Sequence, residues 1–181
     1  MSAILRIDTH ITGPVKRKGD ALNLIHDRHN QPISFYRDVP DLLAWLHQQT
    51  DVHVAACSRT HAPELARQAL DQLLIATPDA DKPVKRAVEL FHTLEIYPGS
   101  KLKHFKELHR KTGIAYSEML FFDDESRNAE VEQLGVTFVL VRKGTTRQLF
   151  DDAVARWRQK VEGGAPASAT GRPKRHSRSG L

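Results

Sequence analysis

The sequence predicts an α/β fold in which helices cover both faces of a parallel sheet, a three-layer Rossmann-like arrangement. Three observations carry this reading. Short apolar runs alternate with amphipathic stretches along the chain, turn-forming residues separate them, and the most chemically capable polar residues come directly after the apolar runs. In such sheets ligands gather beyond the carboxyl ends of the strands, so those polar residues are the first place to look for function.

Residues 39–49 read as a helix: Leu42, Leu43, Trp45 and Leu46 share one face, and Pro40 sits near the start, where a missing amide proton is tolerated. Residues 52–57 form an apolar run, broken only by His53, that ends at Ser58 and reads as a strand. After Thr60, the spacing of Leu65, Ala66, Ala69, Leu70, Leu73 and Leu74 predicts a second helix, running up to a polar stretch at 77–85. Residues 93–97 read as a strand entering the Pro98-Gly99 turn. A helix over 100–111 follows, with Leu102, Phe105 and Leu108 inward and Gly113 as its stop. Residues 118–122 make a buried type of strand ending in Asp123-Asp124. Residues 127–134 are read as a helix stopped by Gly135, 136–141 as a strand, and 145–161 as a closing helix.

A chain of 181 residues accommodates one domain with a core and a tail. Its 27% charged and 40% apolar residues fit a globular protein, and its apolar runs fall far short of the roughly 20 residues a membrane helix needs. No basic and apolar leader is visible in residues 1–10, so a cytoplasmic location is expected. The single cysteine, Cys57, gives no internal disulfide framework. Four of the five net positive charges come from Arg172, Lys174, Arg175 and Arg178. The expected organisation is therefore a nearly neutral domain over 1–162 and a disordered basic tail over 163–181. No membrane or nucleic acid partner is indicated; the RPKR run at 172–175 leaves nuclear import open as a role for the tail.

In a parallel sheet, Ser58-Arg59, Ser100-Lys101 and Asp123-Asp124 arrive at one rim. Each pair alone has an ordinary explanation, as a helix cap or a solvated charge. Together they offer a hydroxyl and a lysine for phosphate oxygens and a carboxylate pair for Mg2+, a set suited to phosphoryl chemistry.

The stretches ACSRT (56–60), EIYPGSKLKHF (95–105) and FFDDESRN (121–128), in this order, closely resemble the magnesium-dependent phosphatase family, of acid phosphatase type, in the haloacid dehalogenase superfamily. IDTHITGP (7–14) resembles the segment that follows that family's first motif, and the resemblance covers residues 4–160. It implies a haloacid dehalogenase fold without a large cap domain, Mg2+ as cofactor, and hydrolysis of a phosphomonoester through an aspartyl-phosphate. It also implies roles: Ser58 and Arg59 bind the phosphoryl group, Lys101 neutralises it together with the attacking carboxylate, and Asp124, with Asp123 beside it, binds Mg2+, Asp124 being favoured as the direct ligand. The substrate expected on this basis is a phosphorylated small molecule, such as a sugar phosphate, or a phosphotyrosine protein.

One part of the pattern is missing. The family's first motif, Asp-x-Asp-x-Thr at the end of a central first strand, lies further upstream of the aspartate that Asp8 resembles than this chain extends. The expectation is therefore an N-terminally truncated chain, its first central strand missing, its nucleophile and general acid absent and its turnover lost. A non-catalytic phosphate-binding protein on the same fold is the alternative.

Substitutes for the missing motif are poor. Asp79 and Asp81 have Asp-x-Asp spacing but follow Thr77-Pro78 instead of an apolar strand, and Asp8 has no second carboxylate two residues on. Cys57 lacks the arginine six positions later that a cysteine-dependent phosphatase requires, since Pro63 stands there. His26 and His29 have no cysteine partners for zinc. Loss of a central strand would remove four or five buried side chains at about 1.5–3 kcal/mol each, on the order of 10 kcal/mol, from a domain of about 5–15 kcal/mol stability. Only Ala3, Ile4, Leu5 and Ile7 are apolar and close enough to fill the gap.

Overall fold

The computed structural model describes residues 2–4 and 11–163. Asp8 and the basic tail from residue 164 onward lie outside the described residues. The elements in chain order are β1 (Ser2–Ile4), β2 (Ile25–His26), β3 (Pro32–Ile33), α1 (Val39–His47), β4 (His53–Ser58), α2 (Pro63–Gln72), β5 (Leu74–Ala76), β6 (Val84–Arg86), β7 (Thr93–Ile96), α3 (Lys101–Thr112), β8 (Met119–Asp123), β9 (Thr137–Leu140) and α4 (Arg147–Gly163). Short 3-10 turns lie before β7, before β8 and, over Ser126–Leu134, after it.

Five strands form one sheet in the order β7-β4-β1-β8-β9, and every pairing in it is parallel. Side-chain alternation along the strands sorts the core into two layers. Val54, Ala56, Leu120 and Phe122 pack with α1, α2 and α4 on one face, whereas Ala55, Cys57, Met119 and Phe121 pack with Phe105 and Leu108 of α3 on the other. The expected three layers are present. No helix of the described residues is long and apolar enough to cross a membrane.

The centre of the sheet, expected to be vacant, is held by β1. Ser2–Ile4 pairs with His53–Ala55 on one side and with Met119–Phe121 on the other. An empty centre would leave the inner edges of β4 and β8 buried with unpaired amide and carbonyl groups, and three residues of nearby backbone satisfy them.

Two hairpins escaped the sequence reading. β2 pairs antiparallel with β3, so His26 belongs to a strand, and β5 pairs antiparallel with β6. The second helix therefore ends at Gln72, where Leu73 turns to extended backbone (ψ 128°) and Leu73 and Ile75 bury while Ala76 is exposed. Strand alternation thus replaces the helical reading of Leu73 and Leu74. The stretch 127–134, read as a helix, lies in a segment, Ser126–Leu134, that winds as 3-10 turns, ended by Gly135 in the left-handed region at φ 98°. Gly113 ends α3 in the same way, at φ 70°.

Candidate active site

The parallel sheet aims the ends of β4, β7 and β8 at one side. β4 finishes in Ser58, β7 runs through the Pro98-Gly99 turn to Lys101 at the start of α3, and β8 finishes in Asp123. A cavity of about 460 Å³ opens there, with Ser58, Arg59, Lys101, Asp123 and Asn128 among its polar lining and Leu70 and Phe91 on an apolar wall.

Lys101 is buried, 2% exposed. Its ammonium donates to the Cys57 carbonyl oxygen at 2.6 Å and lies 3.3 Å from Asp123 Oδ2. Cys57 belongs to β4 and Asp123 to β8, the two strands that flank β1, so the charge is carried to the carboxyl end of the central strand. Its backbone amide is tied by Glu130 Oε1 at 2.7 Å, which fixes the first turn of α3.

Asp123 is oriented as firmly. Its Oδ1 accepts the Glu125 amide and the Asn128 side-chain amide, both at 2.8 Å, which leaves Oδ2 facing the lysine. Asn128 in turn accepts from the Arg59 guanidinium at 2.9 Å. A guanidinium has five N–H donors, so this bond positions Arg59 without exhausting it. The Ser58 hydroxyl oxygen accepts the Thr60 amide at 3.3 Å and retains its own proton to donate.

The structure thus brings together Ser58, Arg59, Lys101 and Asp123. Asp124, favoured over Asp123 as the direct metal ligand, does not line this cavity: it is exposed and borders a second, smaller cavity with Tyr36, Gly144 and Thr145. Asp123 lines that second, smaller cavity as well, so the two neighbouring carboxylates meet there.

Other candidates fall away on geometry. Asp79 caps the turn between β5 and β6, accepting the amides of Asp81 and Lys82 and pairing with Lys85 at 3.0 Å. Burial pushes the Cys57 thiol up to about 12, against the opposing pull of Lys101, and so disfavours the thiolate a nucleophile needs. His29 accepts a hydrogen bond from Arg28 at 3.0 Å. Asn128 is the residue that sequence reasoning missed. It stood inside FFDDESRN without a role, and its 1% exposure in a polar segment identifies it only once the turn is built.

The profile of the Acid Phosphatase family matches residues 4–160. A HAD-like hydrolase superfamily protein of Schizosaccharomyces pombe is 45% identical over 135 residues, covering 75% of this chain and 76% of that protein. Magnesium-dependent phosphatase 1 of Homo sapiens is 37% identical over 149 residues, covering 82% of this chain and 76% of its own length. A relative from Saccharomyces cerevisiae is 33% identical over 156 residues, covering 80% and 85%.

Proposed function

The chain belongs to the acid phosphatase family, and from that premise we propose that the cavity at the ends of β4, β7 and β8 is the phosphomonoester site of a Mg2+-dependent phosphatase of the haloacid dehalogenase type. The observation that carries the reading is the convergence of Ser58, Arg59 and the buried Lys101–Asp123 pair on one cavity at the sheet's carboxyl rim. Ser58 donates its hydroxyl proton to a phosphoryl oxygen, Arg59 adds directional N–H donors, and Lys101 neutralises charge where the water is sparse and the field strong.

Mg2+ is held in such sites by one or two carboxylates and completes its shell with water and substrate phosphate. Among the described residues no group of three or more His, Cys, Asp or Glu side chains is arranged to hold a metal. The adjacent carboxylates of Asp123 and Asp124 fit this sparser mode, with Asp124 accessible from outside and Asp123 already fixed in direction. Bound there, the ion would supply charge neutralisation to the phosphoryl oxygens.

Hydrolysis in this family needs a carboxylate pair after the first strand. Here Ile4 is followed by Leu5, Arg6, Ile7, Asp8, Thr9 and His10, which contains no Asp-x-Asp. These 181 residues therefore bind and neutralise a phosphoryl group but do not form the covalent intermediate, and the chain by itself acts as a phosphate-binding protein. The apolar wall of Leu70 and Phe91 beside the polar groups suits the carbon part of a sugar phosphate or of a phosphotyrosine side chain.

Incubation with p-nitrophenyl phosphate and Mg2+ tests this reading. No turnover above background is expected from the 181-residue chain, and Mg2+-dependent turnover is expected once an apolar strand with Asp-x-Asp-x-Thr is placed ahead of Ile4 and takes over the central position of β1. Sustained turnover by the unaltered chain, lost on Asp8→Asn or Asp79→Asn, would show that one of its own carboxylates attacks phosphorus.

A further inference from the structure

His104 lies one turn into α3 on its inward side and has no exposed surface. Its Nδ1 is 2.8 Å from the Ser100 carbonyl oxygen, and its Nε2 is 3.0 Å from the carbonyl oxygens of both Ser58 and Tyr97. Every atom opposite the two ring nitrogens is an acceptor; an imidazole with one N–H meets them best with the proton assigned to Nε2, where it is shared between the Ser58 and Tyr97 oxygens. Its plane is stacked on Tyr97, with centroids 4.2 Å apart and 6° between the rings. The Tyr97 amide also donates to the Ser58 oxygen, at 3.1 Å. One imidazole on α3, the helix that opens with Lys101, therefore ties that helix to the end of β4 and to the turn after β7.

We propose that His104 is a positioning residue of the phosphate site, setting the spacing between Ser58 and Lys101 through their backbones. This rests on the reading of the cavity as a phosphate site. The ring itself does not line the cavity and touches no substrate group. A side chain that only filled the core would need none of these bonds: a phenyl ring or leucine packs without desolvating polar atoms. Carbonyl oxygens from two separate pieces of chain, Ser58 at the end of β4 and Tyr97 in the turn after β7, at hydrogen-bond distance from one ring nitrogen mark a tie across the rim. Displacements of about 1 Å between groups that hold a reacting phosphoryl are enough to weaken their joint action.

Two variants of the full chain test it. His104→Phe keeps an aromatic ring against Tyr97 but removes the N–H donor, and His104→Gln returns a donor. The first readout is amide hydrogen exchange, which does not depend on any ligand. In His104→Phe the Tyr97 amide is expected to exchange roughly tenfold faster, the equivalent of one lost hydrogen bond, while the amides of α1 keep their wild-type rates. The second readout is the affinity for inorganic phosphate with Mg2+, expected to fall by about the same factor and to recover in part in His104→Gln. Unchanged exchange at Tyr97, or an equal loss of protection through α1 and the rim alike, would overturn the proposal and leave His104 as core filling. Should His104→Phe fail to fold, the same comparison is made between wild type and His104→Leu, which has no donor: faster exchange confined to the rim supports the tie, and an unchanged or uniformly faster exchange overturns it. Failure of the wild-type chain to bind phosphate would remove the phosphate reading of the cavity, and the exchange comparison would still decide whether His104 ties the rim.

Discussion

Lys101 Nζ and Asp123 Oδ2 stand 3.3 Å apart, each side chain only 3% exposed, at the carboxyl ends of different strands. Two charges taken out of water in this way stabilise a fold only while both are present; removing one strands the other. The pair therefore makes a site that is sensitive to single substitutions out of proportion to its net contribution.

Lys101→Met is accordingly expected to lower stability by about 3–5 kcal/mol. Adding Asp123→Asn should recover most of that loss, because the uncompensated carboxylate is gone, while phosphate affinity stays lost. Urea unfolding of the two single variants and the double variant gives the coupling directly. Additive effects would mean that the two groups do not interact as described.

Asn128 joins Arg59 to Asp123 through its two amide atoms. Asn128→Ala leaves Asp123 one donor short and Arg59 unheld, and is expected to cost about 1–3 kcal/mol and to weaken phosphate binding more than Arg110→Ala does. Arg110 is a fair control, because it is largely exposed on α3, pairs with Glu107 at 2.6 Å and does not line the cavity. Equal effects of the two changes on phosphate affinity would contradict a special role for Asn128.

Stability should fall on mild acidification. Burial holds the His47 ring below its ordinary value, with Lys85 and His92 adding to the effect, and burial and His92 do the same to His53. Both rings lie against His92, at centroid distances of 6.1 and 5.1 Å. A folded-state value below the unfolded one means that unfolding takes up protons. The contribution is intact above about 6.5, the unfolded value, and is lost as pH falls through the lower folded values. Melting temperatures measured from pH 7.5 to 5 should decline, and the decline should flatten in the double variant His47→Leu, His53→Leu. A profile unaltered by that variant would place the acid sensitivity elsewhere.

Much of this was legible in the sequence, for stated physical reasons. Long apolar runs such as 118–122, and helices with a clear apolar stripe, such as the one ended by Gly113, have few alternative readings, so the sheet and its rim residues could be drawn in advance. β1 was not legible, because three residues carry no usable periodicity and its place is fixed only by the unpaired edges of β4 and β8. Leu73 and Ile75 fit a helix stripe or a strand face equally well over so short a span, and the pairing with Val84–Arg86 decides between them. Asn128 and His104 were hidden for another reason: their partners are backbone or side-chain atoms far away in the chain, and local sequence does not show which polar side chains will be buried.

The account stands or falls on whether this rim binds a phosphoryl group, and a calorimetric titration of the 181-residue chain with inorganic phosphate in the presence of Mg2+ tests that most directly. Saturable binding at one site per chain is expected, abolished by Lys101→Ala and weakened by Ser58→Ala, with circular dichroism confirming that each variant is folded. Absence of saturable binding by the folded wild-type chain, or binding that Lys101→Ala leaves unchanged, would contradict the assignment of Ser58, Arg59, Lys101 and Asp123 to a phosphate site.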